Sequence, residues 1–173
     1  MRRPVDAPRL ERFLAAFGAA AEGEGACYLA GGATAVLLGW RESTIDVDVT
    51  LEPEQDERLR ALPAVKDELE VNVELAGPAD FIPLPPGWRD RSISVGRFGS
   101  LTVLHLDPYA QALAKLERGH TRDDEDVAAM VERGLVEPRR LLELFGEIEP
   151  ELYRFPAIDP PTFRAAVERV ALR

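Results

Sequence analysis

The chain has 173 residues with 31 acidic and 21 basic side chains, a formal charge of −10, one cysteine and two histidines. That length suits one domain, or a core with a helical appendage, with room for a sizeable interior. The composition excludes an internal disulfide and a zinc cluster, disfavours a protein that grips long nucleic acid by displacing counterions, and offers no apolar run near the roughly 20 residues of a membrane span.

The opening MRRPVDAPRLERF has no signal-peptide core, so a cytoplasmic protein is expected. Residues 8–21 place Leu10, Phe13, Leu14 and Phe17 at three- and four-residue spacing, an amphipathic helix that ends in the Gly-Glu-Gly turn of residues 23–25. A short apolar strand over 26–30 follows. Its Cys27 reads as a buried packing residue rather than a reactive thiol. Gly31 and Gly32 turn the chain into a helix over 34–40, and a second strand then carries Asp46 and Asp48 between Ile45, Val47 and Val49. Pro53 is expected to open a helix that runs through Leu62 and stops at Pro63. The stretch LEVNVELAG alternates, with Leu69, Val71, Val73 and Leu75 on one face and Glu70, Asn72 and Glu74 on the other, which is the pattern of a half-buried strand.

Pro78, Pro83, Pro85 and Pro86 make the next segment a loop. Its Phe81, Ile82 and Trp88 either pin it over the core or, for Phe81 or Trp88, stack on a base. Residues 92–98 and 101–106 read as two strands joined by Gly99-Ser100 in a hairpin. Asp107-Pro108 caps a helix carrying Tyr109, Leu113, Lys115 and Leu116, and Thr121 caps a second with Arg122, Asp123, Asp124, Glu125 and Asp126 near its start. Two more amphipathic helices, 138–148 and 161–172, flank the extended linker YRFPAIDPP.

The chemistry concentrates in Tyr28 to Glu52. Side chains two apart on a strand share a face, so Asp46 and Asp48 sit about 7 Å apart along one edge. Two carboxylates among apolar neighbours call for a positive partner, and oxygen ligands select a hard cation, Mg²⁺ or Mn²⁺. Gly31 and Gly32 let a ligand approach the backbone, and the main-chain N–H groups from Ala33 onward offer a phosphate seat, with Thr34 as a hydroxyl nearby. The pairing of a phosphate seat with a carboxylate pair points to a nucleoside triphosphate. Arg41 either binds triphosphate oxygens or is a surface charge favoured at a helix C-terminus. Thr44 either faces the same cleft or simply starts the strand.

Gly31-Gly32, Arg41, Thr44, Asp46 and Asp48 together resemble the signature of the DNA polymerase beta-type nucleotidyltransferase superfamily. The segment AKLERGHTRDDEDV is similar to the lysine and Arg-Asp-x-x-Asp region of its small prokaryotic members, which include the AbiEii-type toxins. The resemblance implies an α/β (α+β) fold, a mixed sheet with helices on one face, over residues 1–106, with C-terminal helices over 107–173 packed on it. It further implies a third carboxylate beside the Asp pair, for which Glu74 is the candidate against a plain solvent-facing charge, and a triphosphate contact from Lys115, against a lysine that merely snorkels. Arg122, Asp123 and Asp126 fall at the family's spacing, with Asp126 expected to orient Lys115 or Arg122. The implied reaction is in-line attack of an acceptor hydroxyl, on tRNA, a protein or a small molecule, at the α-phosphorus of the triphosphate. RNA binding would need a local basic patch, from Arg89, Arg91 and Arg97 with Lys115, Arg118 and Arg122. An antitoxin protein is a further expected partner, and a non-catalytic nucleotide- or protein-binding module on the same fold is the alternative.

Overall fold

The computed structural model describes residues 3–173. They form two compact units, the first running to Gly77 and including Ile93–His105, the second comprising Pro78–Ser92 and Leu106–Arg173.

The first unit begins with α1 (Ala7–Ala19), whose N-cap Asp6 accepts from the Arg9 amide. There follow β1 (Gly25–Ala30), α2 (Gly32–Leu38), β2 (Asp46–Glu52), α3 (Asp56–Leu69) and β3 (Asn72–Leu75). After α4 (Trp88–Arg91), which belongs to the second unit, β4 (Ile93–Phe98) and β5 (Leu101–His105) close the sheet as the expected hairpin. The order is β3-β2-β1-β5-β4, with β1 antiparallel to β2, parallel to β5, and β2 parallel to β3. This is the mixed open sheet anticipated from the sequence.

One face of the sheet carries the core. Cys27, Leu29, Val47, Val49, Leu51, Val71, Val73, Leu101 and Val103 meet Leu10, Phe13, Leu14 and Phe17 of α1, Ala33 of α2 and Leu62 of α3. Strand alternation turns Asp46 and Asp48 to the opposite face. Burial pushes the Cys27 thiol up to about 12, against a weaker pull from Arg58, so it is an inert packing residue.

Two expectations are corrected. Pro63 does not end a helix; it lies inside α3, which starts at Asp56 rather than Pro53 and continues to Leu69. An internal proline costs about 3 kcal/mol through a lost amide bond and a crowded carbonyl. Burial of Leu62, with Leu59, Val65 and Leu69 packed against the core, offsets that. The longer helix shortens the following strand, and Leu75, expected inward, is 55% exposed at its end.

Arg58 lies on α3 with no exposed surface. Its Nη1 donates to the carbonyls of Phe17 and of Gly18 (2.9 Å), and its Nη2 donates to those of Ala21 (3.1 Å) and Gly23 (3.0 Å) and to Ser100 Oγ (2.8 Å). Nε donates to Gln55 Oε1 at 2.8 Å. A helix end leaves its last carbonyls without intrahelical partners. Here one cation from α3 satisfies the end of α1 and the turn beyond it, with the planar fork that only arginine has.

The second unit contains the Pro78–Ser92 segment, where Ile82 is buried but Phe81 is 55% exposed. Its main helices are α5 (Pro108–Arg118), α6 (Thr121–Glu132), α7 (Pro138–Ile148) and α8 (Pro160–Ala171). The expected Asp107-Pro108 start holds, with Asp107 Oδ1 accepting from the Tyr109 amide at 3.0 Å. Arg91 clamps the other oxygen of this buried carboxylate, its Nη2 at 2.7 Å and Nε at 3.0 Å. The N-cap of α6 is His120 rather than Thr121. Leu113, Met130, Leu141, Leu144, Phe145, Phe163 and Val167 form the interior, where Phe145 and Phe163 meet edge to face at 4.8 Å. The segment between α7 and α8, expected to be extended, begins with a short 3₁₀ turn over Glu149–Arg154.

Lysine at position 58 would leave several buried carbonyls without donors. Arg58→Lys is expected to lower unfolding stability by about 3 kcal/mol, read as a shifted urea midpoint at unchanged slope.

Candidate functional site

The site is set by strand register. Asp48 stands opposite Ala30, the last residue of β1, and the chain turns off β1 at Gly31 directly beside it. Gly31 has φ +63° and ψ −130°, a conformation that a residue with a side chain rarely adopts. A Cβ there would also come within 3.1 Å of Asp48 Oδ2. The bare backbone of Gly31 therefore lies against the carboxylate.

Gly32 differs. A Cβ on it would fall 2.0 Å from Thr44 Oγ1, so the space its missing side chain leaves is filled by Thr44. Thr44 is fastened in turn, its hydroxyl donating to the Asp46 carbonyl at 3.0 Å while its main chain exchanges hydrogen bonds with Val5 at 2.7 and 2.9 Å. Thr44 thus holds the entry to β2 and the main chain of Asp46.

Asp46 and Asp48 are both half-buried, and on the parallel neighbour β3 they face Asn72 and Glu74 in register. Asn72 Nδ2 donates to Asp46 Oδ1 at 2.5 Å. Glu74 is exposed and directly opposite Asp48. Like charges directly opposed across a strand pair repel. Among the described residues no group of three or more His, Cys, Asp or Glu is arranged to hold an ion. Register alone therefore does not make Glu74 a third ligand. The oxygen-only donors fit a magnesium-like ion, which takes one or two carboxylates and completes its shell with water and substrate phosphates.

Behind the glycine turn the structure places a pair the sequence does not announce. Thr34, buried, donates to the Leu29 carbonyl at 3.4 Å and lies 3.0 Å from Nδ1 of His105, the last residue of β5. The Thr34 hydroxyl is thereby engaged inside the fold. Ala33 beside it is fully buried. Arg41 is half-buried, and its amide bonds back to the Ala35 carbonyl.

The remaining candidates belong to the helical unit. Lys115 is buried, with Nζ 2.7 Å from Asp126 Oδ2 and 3.7 Å from Asp123 Oδ1. Asp126 and Lys115 are thus in direct contact. Asp123 is held by Arg118 through two hydrogen bonds of 2.5 and 2.8 Å, and it accepts the His120 amide at 3.2 Å. Burial would raise this carboxyl, but the Arg118 bonds and charge, with Lys115, outweigh that and hold it below the ordinary range. Arg118, three residues past Lys115 on α5, is the arginine of this network, whereas Arg122 is exposed. The proposed basic patch also meets partners: Arg91 pairs with Asp107, Arg97 with Glu24 at 2.9 Å, and Arg89 lies over the Trp88 ring at 4.3 Å.

No helix among the described residues is long and apolar enough to cross a membrane. A family model described as "Nucleotidyltransferase of unknown function (DUF6036)" matches residues 18–153. No curated protein and no solved structure matches the chain.

Burial pulls the His105 pKa from the ordinary 6.5 down to about 4, so the folded ring stays neutral where the unfolded one takes up a proton. Its contribution is retained above pH 6.5 and is lost as the pH falls toward 4. His105→Asn should flatten this window by about 3 kcal/mol, measured by urea denaturation at both ends. An unchanged slope in the variant would show that the ring titrates normally.

Proposed function

Because this chain belongs to the family of nucleotidyltransferases of unknown function whose model spans most of it, we propose that it transfers a nucleoside monophosphate from a nucleoside triphosphate to an acceptor hydroxyl, using Asp46 and Asp48 as cation ligands. Membership implies a nucleotide substrate. The observation that carries the assignment of the site is the bare Gly31 backbone against Asp48 Oδ2, with Asp46 on the same strand face.

In this reading Asp46 and Asp48 would hold Mg²⁺ or Mn²⁺ through oxygen, which when bound would supply charge neutralisation for the triphosphate and activation of the acceptor hydroxyl. Gly31 leaves room at Asp48 for phosphate oxygens. Thr44, packed on Gly32, holds the main chain at the start of the carboxylate strand. Glu74, opposite Asp48, is the nearest candidate for a base that accepts the proton of the attacking hydroxyl. Lys115, paired with Asp126 and near Asp123, is the candidate triphosphate cation. Arg41 and Arg122 remain candidates for the same role.

The gathering of Lys115, Asp123 and Asp126 into one network supports the likeness to AbiEii-type toxins, and with it a place in a toxin–antitoxin pair whose partner is a protein antidote. The formal charge of −10 makes a long RNA a poor acceptor and favours a short RNA end, a protein hydroxyl or a small molecule. A second reading, a nucleotide-binding module without turnover, is favoured by one observation: the carboxylates do not assemble a group of three.

Incubating the protein with each labelled triphosphate, Mg²⁺ and total cellular RNA or protein tests this. Label transfer that falls about a hundredfold or more in Asp46→Ala and Asp48→Ala, at unaltered melting temperature, is the expected result. Thermal stabilisation by nucleotide without transfer would support the module instead.

A further inference from the structure

Asn72 is the polar residue of β3 that sits opposite Asp46, and its side-chain amide donates to that carboxylate. An ionised carboxylate only accepts hydrogen bonds, so the amide must turn Nδ2 rather than Oδ1 toward it. The bond ties down Asp46 Oδ1, leaving Oδ2 as the oxygen offered to a ligand. We infer that Asn72 is a positioning residue that fixes the Asp46 carboxylate for cation binding, an inference that rests on the reading of Asp46 as a ligand.

The choice of residue type supports this. An aspartate at position 72 would add a fourth negative side chain to a face already holding Asp46, Asp48 and Glu74, with no cation on either strand. A valine would keep the strand but leave Asp46 free to rotate. An amide restrains the carboxylate without adding charge, and parallel register delivers it at the right height. The backbone half of Asp46 is held separately, by Thr44 Oγ1 on its carbonyl. Main chain and side chain of one residue are thus fixed by two different elements, which is how ligating carboxylates are oriented in metal sites.

The test is Mn²⁺ titration of the full chain, followed by the electron paramagnetic resonance signal of the free ion, for wild type, Asp46→Ala, Asn72→Val and Asn72→Thr. Valine and threonine are near-isosteric strand formers that differ in a hydroxyl donor, so both keep β3 while one keeps the hydrogen bond. Asp46→Ala should abolish tight binding. Asn72→Val should weaken it about tenfold, and Asn72→Thr should remain near wild type at the same melting temperature. Wild-type affinity in Asn72→Val, or equal weakening in both variants, would overturn the positioning role while leaving Asp46 as a ligand. Wild-type affinity in Asp46→Ala would overturn the reading of the carboxylates themselves, and the role of Asn72 with it.

Discussion

The pairing of β1 with β2 is the constraint on which the rest of the site depends. Antiparallel register sets Ala30 against Asp48, so the chain leaves the sheet at the carboxylate's own height. One residue of slip would send Val47 and Val49 outward and both aspartates into the core, a substitution of charge for hydrocarbon that no interior tolerates. The apolar face of β2 thereby enforces the polar one. Gly31 and Gly32 follow from the same register, since the first must bend where Asp48 stands and the second must pass Thr44.

The two compact units treat charge in opposite ways. On the sheet, carboxylates face one another or an amide, and the strands that carry them hold no positive residue. In the helices, buried charge is balanced from within: Lys115 lies between Asp126 and Asp123, Arg118 takes Asp123 in a fork, and Arg91 holds Asp107. The proposed cation site lies instead on the sheet face, where Asp46 and Asp48 share one side of β2.

Much of this was legible in the amino-acid order, because local pattern determines it. The hairpin at Gly99-Ser100, the Asp107-Pro108 helix start, the alternation that puts Asp46 and Asp48 on one face, and the amphipathic spacing of α1 and α7 are short-range properties. What escaped is long-range. Pro63 reads as a stop unless the packing of the following turn is known. Arg58 looks like one more surface charge on a helix, and all its acceptors but Gln55 are 35 to 42 residues away. Asn72 reads as a polar member of an alternating strand until β3 is laid beside β2. His105 and Thr34 are 71 positions apart and meet only because β5 lies along β1. Arg118 and Asp123 are five apart across the α5–α6 connection, a short-range pair masked in the sequence by the adjacent Arg122-Asp123 dipeptide.

The arginine beneath α1 makes separate pieces of chain share a fate. The end of α1, the stretch from Ala21 to Gly23, the start of α3 and the β4–β5 turn all touch the same guanidinium. Fraying any one of them strips a buried positive group of acceptors it cannot replace, so these segments should exchange their amide hydrogens as a block rather than one by one. This ties the corner of the fold remote from Gly31 into a single opening event, whose energy sets how long the sheet survives.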